Sequence, residues 1–505
     1  MADAEIVDVV IVGSGMGGGT LAAGLAPSGA RIVILERGEV LPDSPDARDA
    51  RAIFQRGVYR PQETWIDGSG EPFNPGSYYF VGGATKLYGA VLARYRARDF
   101  TPVEHAEGAT PGWPFAYSEL EPWYGRAEVL YQVRGALGDD PTEPTHSSPY
   151  PHPPVPDEPA IAKVRERLKR VGLHPYSLPL GVDIDAWLKR APTPWDAFPD
   201  TRTGKMDAET CGLKAALAYP NVTLRTGART TGILVETDGR RVRGVETIYQ
   251  GETRTLIARL VVLSAGAVNS AALLLQSRDG GLANASGMVG RCFMNHNASA
   301  VIAVDPRTVN DSVYQKTLGV NDFYLDDGRG GPPLGNVQLL GRVTGPILKA
   351  NIRSAPEWAL SALSRRSVDW YAMSEDLPNP ESRVTVDGGR IRLDWKRSNW
   401  RAHLGLVWRL RERLKASGYP IVLARAFDRR TPSHQCGTVR IGLDPSSSPL
   451  DPFCRAWDHP NLFVVDGSFL PTSAAVNPAL TIAAQALRVA DHIKATDLQG
   501  KANGL

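Results

Sequence analysis

Two kinds of apolar run divide the chain. Val7-Asp-Val-Val-Ile-Val12, RIVILE (31–36), ARLVVLSAG (258–266) and NLFVVDGSFLP (461–471) are short, nearly continuous and rich in branched residues. Runs without alternating polar positions predict strands buried on both faces, as in a parallel sheet. TTGILVET and RVRGVETIY instead alternate around Asp238-Gly239, a hairpin signal. SVDWYAM and RIRLDW predict further strands with polar and aromatic faces within 298–430. Helical spacing appears in GTLAAGLAPSGA, in YSELEPWYGRAEVLYQV (117–133, around Pro122), in NSAALLLQS, in WRAHLGLVWRLRERLKASG, and in NPALTIAAQALRVADHI (477–493). Residues 38–80 predict an extended loop, and SSPYPHPPVPDEP a surface segment or lid. Doubly buried strands at the start, middle and end predict an α/β fold whose two parts are interwoven. One part comprises 1–100, 205–297 and 431–505. The other, of α+β character, comprises 101–204 and 298–430.

Composition removes several classes. The 505 residues are 42% hydrophobic and 22% charged, enough for two substantial cores. With 57 basic and 54 acidic residues and no basic stripe, no nucleic-acid partner is expected. Four cysteines, at 211, 292, 436 and 454, form neither CxxC nor a disulfide framework, so a reducing cytoplasm is the expected location. MADAEIVDVVIVG lacks the basic region and cleavage site of a leader. The apolar run LVVLSAGAVNSAALLL is broken by Ser264, Asn269 and Ser270, so no membrane span is expected.

Chemistry concentrates at four blocks. Gly13, Gly15 and Gly18, around Met16, form G-x-G-x-x-G between a strand and a helix, and Glu36, followed by Arg37, closes the second strand. That context predicts a dinucleotide site: glycines for the turn and backbone approach, the helix N-terminus for pyrophosphate, and Glu36 for a ribose diol. Asp466-Gly467, after an apolar strand, offers a second contact on the ribitol or pyrophosphate, or else a turn. Asn477-Pro478 predicts a sharply started helix whose first turn, with Thr481, can face a flavin anion, or else only a capped helix. Within SHQCGTVRIG, His434 lacks the clustered partners of a metal site, and no metal is expected.

Taken together, GSGMGG, VGGATKLYGA (81–90), LVVLSAGAVNSAALLLQSR, VGRCFMNH (289–296), HQCGTVRIG and VVDGSFLPTSAAVNPALTIAAQALRVAD resemble the blocks of the glucose–methanol–choline (GMC) oxidoreductases, in the family's order and over nearly the whole chain. The resemblance implies a Rossmann-like FAD domain interwoven with a substrate domain like that of p-hydroxybenzoate hydroxylase, and oxidation of an alcohol carbon. It implies that His434 and Asn477 face the flavin N5. A neutral histidine suits removal of a hydroxyl proton, whereas Asn477 can only hold the substrate oxygen. The backbone around Gly83, Ala84, Tyr88 and Gly89, with Ala265, is expected near the cofactor. Leu87 occupies the position at which some relatives carry a flavin-linked histidine, so FAD is expected to be non-covalent. Lys86 is expected to be a solvated or phosphate-facing charge. The segment QKTLGVNDFYLDDG (315–328) resembles the substrate loop of bacterial pyranose oxidases and glycoside 3-oxidases, with Asn321, Asp322, Phe323 and Tyr324 as sugar contacts; an ordinary exposed loop is the alternative. Arg94 and Asn297 are expected as polar walls of the substrate site. The expected reaction is oxidation of a secondary hydroxyl of a sugar or glycoside to a ketone, with O2 as acceptor giving H2O2. The alternatives are a dehydrogenase using a quinone or other acceptor, and a non-redox lyase.

Overall fold

The apolar runs assemble into a seven-stranded sheet. The computed structural model describes residues 5–190, 194–196, 198–199, 204–428 and 434–499. Strands Glu5–Val12, Ile32–Leu35 and Val222–Arg225 run parallel, and Glu5–Val12 also pairs in parallel with Glu252–Leu263. Leu462–Val464 joins the far side of Glu252–Leu263, and the hairpin strands Arg229–Val235 and Val242–Tyr249 complete the edge. The central residues Val9 to Ile11 and Leu260 to Leu263 are almost fully buried, which is why their runs show no alternation.

A second, six-stranded sheet orders its strands as Ile421–Ala426, Asn297–Val304, Ser367–Ser374, Asn336–Leu339, Leu318–Val320 and Pro175–Ser177. The pairs within it are antiparallel. One face buries Val301, Val337, Leu339 and Trp370 against Leu406, Leu410 and Leu414 of helix Trp400–Ala416. The opposite face carries Ala298, Tyr371 and Met373.

One expectation is corrected. Residues 38–80 are not one loop: short helical turns cover Pro45–Arg48 and Arg51–Arg56, and strands cover Trp65–Asp67 and Pro72–Phe73. Of the two alternatives for SSPYPHPPVPDEP (147–159), the structure favours the surface segment: all but Tyr150 and Val155 are exposed or half-buried, and those two pin it to the main core, where Tyr150 donates to Glu143 at 3.0 Å. Among the described residues, no helix is long and apolar enough to cross a membrane.

Candidate active site

The dinucleotide loop is shaped by close backbone approaches. Gly13 has φ of +103°, and a Cβ on it would overlap the Ser264 carbonyl. A Cβ on Gly18 would overlap the carbonyl of Gly13, so the turn closes only with glycine there. Gly15, by contrast, faces open space, its nearest neighbours being Gly82 and Gly83 at 4.0 Å. Among the described residues no side chain caps helix Met16–Leu25, which leaves its first N–H groups available to a ligand beside the buried Met16.

Glu36 is buried and accepts from Ser14 Oγ at 2.6 Å, Ser14 N at 3.1 Å and Gly38 N at 2.9 Å. Burial raises its carboxyl pKa against those bonds. Arg37 lies 3.8 Å over the Tyr79 ring and pairs with Glu63 at 3.2 Å, a flat shelf at the strand end. Gly82 N donates to Ser14 Oγ at 3.1 Å, so the 83–86 turn carrying Ala84 packs on the loop. Tyr88 donates to the Met206 carbonyl. A Cβ on Gly89 would stand 2.6 Å from an Asp196 oxygen.

Ala265 N donates to Ser270 Oγ at 3.1 Å, and Ser270 Oγ donates to Asp466 at 2.5 Å. Asp466 also accepts from Gly266 N and from Ser468 N and Oγ, so its carboxylate clamps the turn that includes Gly467, the alternative weighed for it above.

The last helix begins one residue later than the Asn-Pro signal suggests. It spans Ala479–Thr496 with Pro478 at the N-cap, and its first bond runs from Ile482 N to Pro478 O at 2.9 Å. Asn477 therefore lies outside the helix and does not cap it. Thr481 Oγ1 pairs with Tyr124 OH at 2.8 Å, leaving the first-turn N–H groups of 479–481 ahead of the ladder.

An antiparallel bridge joins Met294 and Cys436, with N–H···O bonds of 2.9 and 3.0 Å in both directions. Two residues further out, the same register sets His296 opposite His434. Their rings meet edge-on at 78°, with Nδ1 to Nδ1 at 2.8 Å. His434 sits at φ of +70°, a region costly for a residue with a Cβ and frequent at functional sites. Its Nε2 lies 3.2 Å from Asn477 Nδ2, and Asn477 Oδ1 accepts from Gln338 Nε2 at 3.1 Å. Thus the two residues expected to act together do meet, although 43 positions apart. Cys436 is a buried free thiol, pushed well above its ordinary pKa by burial.

Burial, the neighbouring His296 ring and Lys316 hold His434 well below the usual imidazole range. Burial also pushes His296 down, against the pull of the Ser473 carbonyl, Glu375 and the Ala474 carbonyl. Both rings are therefore neutral near pH 7. Lys316 is itself buried and pairs with Asp196 at 2.5 Å.

Gln338 had no role in the sequence reading. Register places Tyr176, Gly319, Gln338 and Tyr371 in one row across the second sheet, on the face opposite the helix-packed Val337 and Leu339. Gln338 is 1% exposed, and its Oε1 has no hydrogen-bond partner among the described residues. Asn336, two residues earlier, has an equally unpartnered Oδ1 while donating to Asn321 Oδ1 at 2.7 Å and to Tyr176 OH at 3.2 Å. The signal for both was the polar–apolar alternation of NVQL.

Several expected site residues lie elsewhere. Arg94 is no wall: its guanidinium is engaged by Glu128 at 2.7 and 2.8 Å, Glu121 and the Tyr117 hydroxyl at 2.9 Å, and the Thr145 carbonyl. Asn297 is on the same strand face as Ser299, which bonds His403 of helix Trp400–Ala416; its amide ties to the Ser398 carbonyl at 2.7 Å. Lys86 is neither solvated nor phosphate-facing, being 1% exposed and paired with Asp207 at 2.9 Å and Glu209 at 2.6 Å. In the 315–328 segment, Asp322 bonds His174, Phe323 lies in the second sheet's core, and Asn321 and Tyr324 bond Asp140 and Asp99.

Family models described as GMC oxidoreductase match residues 196–298 and 390–486. The chain is 30% identical to 6'''-hydroxyparomomycin C oxidase of Streptomyces lividus over 97% of this chain and 92% of that one. It is 29% identical to 2-methyl-1,2-propanediol dehydrogenase of Mycolicibacterium austroafricanum (97% and 95% covered) and 29% identical to C-glycoside 3-oxidase of Microbacterium trichothecenolyticum (96% and 96%). Among solved structures, pyridoxine 4-oxidase from Mesorbium loti superposes with a TM-score of 0.67 at 21% identity, covering 97% of this chain and 99% of that one, a likeness of fold.

Proposed function

Because this chain belongs to the GMC oxidoreductase family, whose members bind FAD, we propose that it oxidises a hydroxyl-bearing carbon of a sugar or glycoside, a secondary alcohol to a ketone, with O2 as acceptor. The observation that carries the reading is the meeting of His434 Nε2 with the Asn477 amide, which is bonded in turn to Gln338, whose carbonyl has no partner among the described residues. FAD, when bound, supplies the acceptor for the hydride that leaves the alcohol carbon. His434 Nε2 takes the hydroxyl proton, which makes loss of that hydride easier. Asn477 holds the substrate oxygen against that nitrogen. A buried, unpaired amide carbonyl selects a ligand that donates to it, and a polyhydroxylated substrate offers such a donor.

The open faces at Gly15 and Gly266 and the two uncapped helix starts fit a pyrophosphate and a flavin. Gly13, Gly15, Met16, Gly18, Glu36 and Arg37 would hold the nucleotide end of FAD. Gly83, Ala84, Ala265, Gly467, Pro478 and Thr481 would line the flavin end, with Leu87 leaving it non-covalent. Residues 1–100, 205–297 and 431–505 form the FAD-binding domain in this reading, and 101–204 and 298–430 the substrate domain. Four buried free cysteines suit a reducing cytoplasm.

The dehydrogenase relative favours a second reading, in which another acceptor replaces O2. Anaerobic mixing with free sugars, glycosides, a small diol, choline and a sterol, followed by flavin absorbance, tests the substrate class. Bleaching by the diol or sterol and by no sugar or glycoside would refute the sugar reading. Reoxidation on admitting air separates the two acceptors. Gln338→Leu is expected to lower kcat/KM for the best sugar by about 10- to 100-fold, through the lost hydrogen bond, with FAD content unchanged. An unchanged kcat/KM would remove Gln338 from the substrate site.

A further inference from the structure

His296 is left outside the chemistry described so far. It is 2% exposed, and its Nε2 lies 2.9 Å from both the Ser473 and the Ala474 carbonyl oxygens. Carbonyl oxygens only accept, so this nitrogen carries a hydrogen. A neutral ring has one N–H, and therefore Nδ1 of His296 is a bare acceptor. It faces Nδ1 of His434 at 2.8 Å, which must then be the donor. His434, being neutral, is left with a lone pair on Nε2, the nitrogen beside Asn477. The amides agree in direction: Gln338 Nε2 donates to Asn477 Oδ1, which turns the Asn477 NH2 toward that lone pair.

The opposite polarity fails on charge. If His434 carried its hydrogen on Nε2, its bare Nδ1 would need a hydrogen from His296 Nδ1. With Nε2 also donating to the carbonyls, His296 would be a buried imidazolium, the form that burial disfavours.

We propose that His296 is a positioning residue that fixes the tautomer of His434, so that the basic nitrogen is Nε2. The proposal rests on the reading of His434 as the base, but it concerns the resting ring and can be tested apart from turnover. A histidine whose second nitrogen is oriented by a partner has one defined basic face, whereas an unheld ring samples both tautomers. The partner here is another imidazole, which accepts a hydrogen without placing a carboxylate's charge beside the base.

Two measurements test it. In FAD-loaded protein labelled with 15N-histidine, with His434 assigned by comparison with His434→Gln, Nε2 should show the shift of an unprotonated ring nitrogen and Nδ1 that of an N–H. The reverse assignment would overturn the proposal whatever the activity. Second, anaerobic flavin reduction is compared between His296→Gln, which keeps an acceptor, and His296→Leu, which offers none. The glutamine variant is expected within about tenfold of native and the leucine variant about tenfold or more below the glutamine variant, because the hydrogen bond that favours N–H at Nδ1 of His434 is gone. Equal rates in FAD-loaded forms of the two variants would overturn it. If the leucine variant fails to fold, the nitrogen shifts in the native protein still decide. If His434→Ala retains reduction while the shifts are as expected, the base reading fails and the tautomer assignment stands.

Discussion

Replacing His434 with alanine lowers the rate of anaerobic flavin reduction by about 10²- to 10⁴-fold, the range removed with a general base. FAD binding should survive, because the side chain bonds His296 and Asn477 rather than the glycine loop. The pH profile provides an independent check. His434 titrates well below the usual imidazole value, so it remains an unprotonated base as pH falls to about 6.5 and the native rate loses ground only below that. The alanine variant should lack this acid limb. Stability carries the same sign. In the unfolded chain the imidazole takes up a proton near pH 6.5 while the folded one resists, so acid favours unfolding and the neutral ring's contribution is retained at higher pH. Stopped-flow reduction at several pH values measures the first effect. A rate within a few-fold of native would remove His434 from the base role.

Gly17→Ala is expected to destabilise the fold by about 3 kcal/mol or more, with loss of FAD. Gly17 lies in the first turn of helix Met16–Leu25, where alanine alone would favour the helix by about 1 kcal/mol. The opposing effect is larger. A Cβ at Gly17 would overlap the Val465 carbonyl and stand 2.7 Å from Ser264 Oγ. Ser264 Oγ in turn donates to Val465 O at 2.5 Å, so neither group can withdraw without opening the helix–sheet contact. Gly19→Ala is the control. Its Cβ would meet Leu213 Cγ at 3.3 Å and the Ala208 carbonyl at 3.4 Å, close contacts rather than overlaps, which a shift of a few tenths of an ångström relieves, and it gains the same helix propensity. Thermal unfolding with flavin release should separate the two; equal melting temperatures would refute the close-approach argument.

What was legible in the sequence was local. The glycine spacing, the continuous strands and the helix after Asn477 each follow from neighbouring residues, and the structure contains each of them; the first two strands and the last helix's start fall within two residues of expectation, whereas the strand read at 258–266 runs from Glu252 to Leu263. Family blocks added His434 and Asn477, which no local pattern connects. Side-chain direction was not legible. Arg94 and Asn297 follow site blocks in sequence, but the first turns into the carboxylates of Tyr117–Leu130 and the second lies on the helix face of its strand. Lys86 looked solvated because its partners, Asp207 and Glu209, are more than 120 residues away. His296 stood in a recognised block without a role, since only the Met294–Cys436 register brings it to His434.

Strand Leu462–Val464 has a consequence for how the protein is made. It lies beside Glu252–Leu263, and Val465 seats the glycine-loop helix, so the sheet begun by the first dozen residues is finished by nearly the last. During synthesis the early strands wait for a neighbour some 200 residues downstream, and at about 5–20 residues per second that interval lasts roughly 10–40 s. Throughout it, the backbone edge of Glu252–Leu263 that pairs with Leu462–Val464 has no strand beside it at residues 261–263. The cofactor half cannot complete its sheet before residues 462–464 emerge, and the nascent chain needs protection from edge-to-edge aggregation until then.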